Sequence, residues 1–335
     1  MKKRVTLSDI AEYIGISRSS VSHALSGKRP ISKEVREQVQ RAVRELGYSP
    51  NFVAKAMNAG RTNLIGLLVS NLNNYYTSAL VEMFGEELSK HSLQMVLTVT
   101  NDLNTAEDIM QKFSSGMTDG IINALPFLRN ARALQLAGST PVVTYLRHIE
   151  SPIFIDFATG IRTVLQHLIG LGHRKIALMA SCLREEPGKL DPCVLSYNDY
   201  MMSYGLKPFV LNMQHDDIAD GYQLAPQLFD AGVTAVLAGN DMASSGIIRW
   251  CIENKIRLPE GMSIVGLDNS PLSQMVYPPL TTLELPGAIL ASHTVQVLLY
   301  MMRHSMTSPG PLTIIPKMII RESTAPLNAR MESRS

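Results

Sequence analysis

Cysteine is scarce in this chain: Cys182, Cys193 and Cys251 are the only three in 335 residues. An odd number at spacings unlike any zinc or redox motif argues against a disulfide framework or a structural metal, and reads as reduced thiols used in packing. No apolar run approaches the roughly 18 residues needed to span a bilayer. The basic start Lys2-Lys3-Arg4 leads into Ser8, Asp9 and Glu12 rather than the apolar core of a signal peptide, so a cytoplasmic protein without a membrane partner is expected. Nucleotide-binding signatures are missing too. No Gly-x-Gly-x-x-Gly opens a helix, no Walker loop occurs, and Gly170-Leu-Gly-His173 comes after a helical stretch instead of a strand. There is no serine nucleophile elbow and no His-Glu-x-x-His run. His148, His167, His173, His215, His293 and His304 are scattered and read as surface or structural groups. No catalytic residue, metal or cofactor is therefore expected.

What the chain does have is length, with 45% hydrophobic and 18% charged residues, enough for two or three domains with sizeable cores. Its net charge of +2 is an average of unlike parts. Residues 1–62 hold twelve Lys/Arg against five Asp/Glu, +7, and the rest carries −5. A basic head on an acidic body is the asymmetry expected when one domain meets a polyanion and the other does not.

The head reads as three short helices. Leu7, Ile10, Ala11 and Ile14 recur at helical spacing, and Thr6 with Asp9 three residues on forms an acidic relative of the capping box. Gly15 can take a left-handed conformation, and Ser17 suits the N-cap of a second helix through Val21, Ala24 and Leu25, stopped by Gly27 and Pro30. The spacing is that of a helix-turn-helix, although a generic helical hairpin would share the periodicity. The exposed face tips the balance. Arg18, Ser19, Ser20, Ser22 and His23 cluster at its N-terminal end, where a recognition helix meets base edges and phosphates. A third helix is expected from Ser32 as N-cap, with Val35, Val39, Ala42, Val43 and Leu46 as its buried stripe and Gly47 beyond. Residues 49–60 begin with the helix-start pair Ser-Pro and end at Gly60, too short for a stable helix alone.

From residue 63 strand and helix signals alternate. The run Leu64–Val69 is typical of a buried parallel strand, and strands at 95–99, 120–123 and 141–144 alternate with helices near 79–88, 105–116 and 128–137. A second series has strands at 175–179, 209–211, 235–237 and 263–266, with helices at 159–171, 194–204, 219–231 and 241–254. Two such series predict two doubly wound α/β subdomains whose ligands sit beyond the carboxyl ends of strands.

The stretches Val5-Thr-Leu-Ser-Asp-Ile-Ala-Glu-Tyr-Ile-Gly-Ile-Ser-Arg-Ser-Ser-Val-Ser-His-Ala-Leu-Ser26 and Gly47-Tyr-Ser-Pro-Asn-Phe-Val-Ala54 resemble the headpiece and hinge of the LacI/GalR family of bacterial transcriptional repressors. Leu168–Ala177, Asn240-Asp241, Leu258-Pro259, Ser263–Asp268, Pro278–Thr282 and Arg321–Thr324 resemble the family's periplasmic-binding-protein-like effector domain. The resemblance implies an all-α helix-turn-helix headpiece over 1–48 and a hinge over 49–61. It also implies an α/β bilobed effector-binding and dimerisation domain over 62–327 with two doubly wound parallel sheets, and a tail over 328–335. The chain should cross three times between subdomains, the first comprising about 62–158 and 286–318 and the second about 159–285 and 319–327.

Site residues follow from the same resemblance. DNA contacts are implied at Thr6, Leu7, Ser17, Arg18, Ser19 and Ser20, at Ser22, His23 and Ser32, and in the hinge at Asn51, Ala54, Lys55 and Met57. Met57 stands where the family inserts a leucine between base steps; methionine also serves as such a wedge. Tyr75, Asp156, Asn240 and Asp268 match positions lining the effector cleft, and Asp241 is expected as a helix N-cap. One departure is marked: Cys193 replaces the arginine that grips the effector in the family, and Ser196 replaces the glycine before Tyr197, which leaves three readings, that Arg184 or Lys189 nearby substitutes, that the ligand differs from the family's common sugars, or that there is none. The implied activity is repression of a carbohydrate or other catabolic operon. The chain would work as a homodimer on double-stranded palindromic operator DNA, controlled by a small-molecule effector.

Overall fold

The structure is a computed structural model that describes residues 5–26, 29–48, 56, 59–146, 153–180, 192–304 and 312–327. The chain divides into two compact units, Met1–Thr62 and Asn63–Ser335.

The smaller unit has helices α1 (Leu7–Ile14), α2 (Arg18–Ser26) and α3 (Lys33–Glu45). Thr6 and Asp9 close a reciprocal capping box: the Asp9 amide donates to Thr6 Oγ1 at 3.4 Å and the Thr6 amide donates to Asp9 Oδ2 at 2.7 Å. Gly15, at φ 70°, ends α1 in the left-handed region, and the Ile16 amide turns back to the Ala11 carbonyl at 3.1 Å. Three helices meet on Ile10, Ala11, Val21, Val39 and Ala42, all buried. Tyr13 on α1 donates from its hydroxyl to Glu45 at the end of α3, 3.0 Å away, and that carboxylate holds the phenol above its ordinary pKa.

The larger unit is two six-stranded sheets. The first contains β1 (Leu64–Val69), β2 (Gln94–Val99), β3 (Gly120–Asn123), β4 (Val142–Leu146), β5 (Ile153–Ile155) and β11 (Leu312–Ile314), in the order β11-β5-β4-β3-β1-β2. The second contains β6 (Ile176–Ala180), β7 (Val210–Asn212), β8 (Ala235–Leu237), β9 (Ser263–Asp268), β10 (Thr281–Glu284) and β12 (Lys317–Ile319), in the order β12-β10-β9-β8-β6-β7. Helices α4 (Tyr75–Lys90), α5 (Leu103–Lys112), α6 (Asn130–Ala137) and α12 (Gly287–Arg303) belong with the first sheet, and α7 (Phe157–Gly170), α8 (Pro192–Ser203), α9 (Ile218–Asp230), α10 (Asp241–Glu253) and the short α11 (Leu272–Met275) with the second.

All strand pairs are parallel except β10 with β12, where Glu284 opposes Lys317. The two sheets are therefore doubly wound with one antiparallel edge, a refinement of the all-parallel expectation. Three crossings join the lobes, before α7, after β10 and between β11 and β12. The last passes through Ile315 and Pro316, so Lys317–Ile319 already pairs in the second sheet, just ahead of the expected 318.

Buried strands carry the reading frame of the first lobe: β1 and β3 bury nearly every side chain. Gly66 in β1 is required there, because a Cβ would stand 2.3 Å from the Phe113 ring that covers the strand. The expected helix near 105–116 ends at Lys112 instead. Phe113–Met117 forms a wide turn broken by Gly116 at φ 95°, which brings that ring onto β1. Helix α12 was expected only as a returning segment; its buried stripe Leu290, Ala291, Thr294, Val295, Leu298 and Met301 has the i, i+4 spacing of a packed helix. Among the described residues no helix is long and apolar enough to cross a membrane.

Candidate nucleic-acid interface and ligand cleft

In the small unit the polar residues of α2 gather at its first turn. The Ser17 hydroxyl accepts from the Ser20 amide at 3.0 Å and lies 2.7 Å and 2.8 Å from the hydroxyls of Ser19 and Ser20. It is the N-cap, and it holds a small cluster of hydroxyls around the helix start. Arg18 and Ser19 are exposed beside it, and Ser20, Ser22 and His23 are half-buried further along. Thr6 and Ser32 are also caps, of α1 and α3, so their side-chain oxygens are engaged by the backbone. Leu7 is half-buried and packs against the small core. In the hinge, Asn51, Ala54, Lys55 and Met57 lie outside the described residues. Ala56 and Ala59 are helical, and the Arg61 amide donates to the Ala56 carbonyl at 3.2 Å.

The larger unit contains a cavity of about 1000 Å³ bounded by both lobes. Its walls follow one rule: nearly every lining segment comes just beyond the carboxyl end of a strand. Ser70 and Asn71 follow β1, Asn101 follows β2, and Phe127 lies beyond β3. From the second lobe come His215, Asp216 and Asp217 beyond β7, Asn240 beyond β8, and Asp268 at the end of β9.

Of the expected cleft residues, Cys193, Asn240 and Asp268 line this cavity, whereas Tyr75 and Asp156 do not. Tyr75 opens α4 with its side chain 49% exposed, and the next residue, Tyr76, reaches the cavity in its place. Successive helical residues point about 100° apart, so a one-residue offset decides which ring faces the cleft. Asp156 is occupied as the N-cap of α7, accepting from the Thr159 amide at 3.0 Å and the Thr159 hydroxyl at 2.6 Å.

The pair Asn240-Asp241 also departs from expectation. Asn240, not Asp241, is the N-cap of α10: its Oδ1 accepts from the Ala243 amide and its Nδ2 donates to the Asp216 carbonyl, both at 2.7 Å. Asp241 is wholly buried and accepts from the Ser270 amide at 2.7 Å, the Ser270 hydroxyl at 2.9 Å and the Thr282 hydroxyl at 2.7 Å. Burial pushes its carboxyl above the usual range, while these donors and the nearby Arg321 oppose the shift. The neighbouring Gly266 leaves room for it, since a Cβ there would lie 2.3 Å from Asp241 Oδ1.

This buried carboxylate holds the turn that carries Asp268. Asp268 has φ 113° and Asn269 φ 52°, two successive left-handed residues without glycine. Ser270 is held by Asp241; the Asn269 amide donates to Thr282 at 3.3 Å, and Arg321 Nη2 donates to Asn269 Oδ1 at 2.6 Å.

Cys193, near the start of α8, is 6% exposed in the cavity wall. One turn on, Tyr197 faces away from the ligand space. Its hydroxyl donates to the Ile176 carbonyl at 2.6 Å and accepts from the Phe209 amide at 3.0 Å, and burial pushes its pKa up to about 12. Tyr197→Phe should therefore lower the stability of the larger unit by about 1–3 kcal/mol, the cost of leaving a buried amide unmatched. Urea unfolding followed by circular dichroism measures it, and an unchanged midpoint would contradict this role.

Asn71, Asn101, Phe127 and Asp216 were not singled out from the sequence, and His215, read there as a surface or structural histidine, lines the cavity. Applying the strand-end rule to β1, β2, β3 and β7, as was done for β8 and β9, would have reached them.

Comparison with known proteins places both units. Residues 6–51 match the lacI family of bacterial regulatory proteins and residues 165–324 match the periplasmic binding protein-like domain. The chain is 27% identical over 327 residues to the ribose operon repressor of Haemophilus influenzae, covering 95% of this chain and 98% of that protein. It is 26% identical over 332 residues to the lactose operon repressor of Escherichia coli K12, covering 96% and 91%. Among solved structures, a lac repressor dimer bound to operator and the anti-inducer ONPF superposes with a TM-score of 0.86 at 25% identity, covering 96% of this chain and 100% of that one.

Proposed function

This chain belongs to the lacI family of bacterial regulatory proteins, and from that premise we propose that it is a sequence-specific repressor of a catabolic operon. It acts in the cytoplasm as a homodimer on a near-palindromic operator. One recognition helix reads one half-site, so two-fold protein symmetry mirrors operator symmetry. The observation that carries this reading is the pairing, along one chain, of a three-helix basic head with a two-lobed unit enclosing a cavity of about 1000 Å³. The cavity holds a small-molecule effector. That effector acts only through its different affinity for the DNA-competent and DNA-incompetent states.

Within the head, α2 is the recognition helix, and Arg18 reads a base while its neighbours set the register on phosphates. Thr6, Ser17 and Ser32, already helix caps, contribute through helix N-termini that attract phosphate. In the hinge, Lys55 contacts phosphate and Met57 is the minor-groove wedge. Arg18→Ala should cost about 1–3 kcal/mol at one base position of each half-site, whereas Lys55→Ala should weaken all sequences alike and flatten the salt dependence. Binding titrations on single-base operator variants separate the two, and uniform weakening by Arg18→Ala would reduce it to a phosphate contact. Deleting residues 1–62 tests the whole reading: the remainder should bind ligand and lose operator preference. A remainder that performs the function unaided would show that the reading is wrong.

A further inference from the structure

We infer that Asn269 is the positioning residue that ties the ligand cleft to the crossings between the lobes, so that a change in the cleft and a change in lobe arrangement occur together. The inference rests on the effector-cleft reading above and concerns how an event in that cleft reaches the rest of the chain.

Asn269 follows the cavity residue Asp268 and is itself not part of the cavity wall. Its backbone is left-handed at φ 52°, directly after Asp268 at φ 113°. Asparagine enters that region more readily than most residues, and glycine would do so at no steric cost. What asparagine adds over glycine is a side chain with two unlike ends, an acceptor and a donor, which can bridge a cation and an anion. Both ends are used. Arg321 Nη2 donates to Asn269 Oδ1 at 2.6 Å, and Asn269 Nδ2 donates to Glu284 Oε1 at 3.0 Å. Each bond has one charged partner, which makes it stronger than a bond between neutral groups.

The two partners stand at the crossings. Glu284 ends β10 in register with Asp268, and the chain then passes through the cavity residue Leu285 and Pro286 into α12, which belongs with the first sheet. The first lobe is tight at that point, since a Cβ on Gly287 would stand 3.0 Å from Met83 Sδ on α4. Arg321 lies just beyond β12, the strand that follows the third crossing. Its guanidinium is pinned on the other side, because Nη1 donates to the Leu280 carbonyl at 2.7 Å and to the Ser273 hydroxyl at 3.1 Å. Two of the three crossings therefore meet on one half-buried amide.

A ligand that displaces the turn at Asp268 must carry Glu284 and Arg321 with it or break charge-assisted bonds. By reciprocity, an event that rearranges the lobes must be felt at the turn. Removing the Asn269 side chain should separate the two without melting the turn, because Asp241 still holds Ser270.

Operator DNA supplies the test without the effector. Hydrogen exchange of the full-length chain is measured with and without the operator enriched from random DNA. One reporter is the Ser270 amide in the cleft turn, which donates to Asp241, and the other is the Gly287 amide at the second crossing, which donates to the Leu285 carbonyl. Operator binding should change exchange at both by about threefold or more in the unsubstituted chain. In Asn269→Gly the change should persist at Gly287 and vanish at Ser270. Glu284→Ala breaks the same contact from the other side, leaves the left-handed turn untouched and should behave alike; it decides the matter if Asn269→Gly fails to fold. Asn269→Asp sets two carboxylates against each other and should also uncouple. Combining it with Glu284→Gln restores a donor and an acceptor in exchanged places, and should return the response. A merely structural role would alter exchange equally with and without operator. An undiminished response at Ser270 in the single variants, or a loss that the double substitution fails to repair, overturns the inference and leaves the cleft reading standing. No operator response at Ser270 in the unsubstituted chain would mean that DNA and cleft are not coupled, and overturns both.

Discussion

Val21→Asp should abolish operator binding while leaving the larger unit folded. Val21 is fully buried at the meeting of the three head helices, and among the described residues of the head only Ile10, Ala11, Val21, Val39 and Ala42 are buried. So few buried side chains give a domain of about 45 residues only a marginal core. A carboxylate at position 21 would have no partner in that core, and stranding a charge among apolar side chains costs several kcal/mol, comparable with all the stability such a small domain possesses. The recognition helix would lose its platform. Operator affinity should fall to the nonspecific level, a loss of about a thousandfold or more. Calorimetry should still find the transition of the larger unit, because none of its described core residues touches the change. Retained operator affinity, or loss of both transitions together, would contradict this division of labour.

Gly221→Ala should be the most damaging conservative change in the larger unit. Helices α9 and α10 cross at glycines: a Cβ on Gly221 would stand 1.9 Å from the Ala243 carbonyl oxygen, and one on Gly246 would stand 2.1 Å from the Ile218 carbonyl oxygen. Both obstacles are backbone, so neither can swing aside as a side-chain tip does. Separating the helices opens the packing of Ala225, Ile247 and Cys251 behind them, at an expected cost of about 3 kcal/mol or more. The same separation moves the cleft, because His215, Asp216 and Asp217 lead into α9 and Asn240 leads into α10. Stability and ligand affinity should therefore fall together. Gly85→Ala is the contrast. Its Cβ would meet nothing closer than Met95 Cε at 3.9 Å, so adding it inside α4 should stabilise by about 0.5–1 kcal/mol. Denaturant midpoints for the two variants should move in opposite directions, and a mild effect of Gly221→Ala would refute the close crossing.

Much of this architecture is written in periodicity. The stripe through Leu7, Ile10, Ala11 and Ile14 gives α1, the capping pair Thr6 and Asp9 is visible before any coordinate, and apolar runs mark β1, β3 and β9. The three-residue strands β5, β11 and β12 carry no such signal, whereas β7 and β8, equally short, are marked by their place in the strand–helix alternation. The antiparallel edge at β12 is a consequence of chain return, which no local pattern records.

In the cleft the failures are of phase. Tyr75 and Tyr76 differ by one helical step, and Asn240 and Asp241 by one cap position, yet each step exchanges a cavity-facing group for another role. Asp241 shows why: both Asn and Asp cap helices well, and which residue does so depends on what Ser270 and Thr282 demand from elsewhere in the fold. The chemistry of the cleft was legible only in outline. Cys193 in place of an arginine marks a departure in the cleft wall, and which of the neighbouring residues face the ligand space emerges only when the strand ends are brought together.

Selection of binding sites from random double-stranded DNA by the full-length chain at physiological salt tests the regulator reading most directly. A sequence-specific dimer should enrich an inverted repeat of two half-sites, and the Arg18→Ala chain should lose preference at one symmetrical base pair in each. Enrichment of no motif, or of the same motif by residues 63–335 alone, would contradict it.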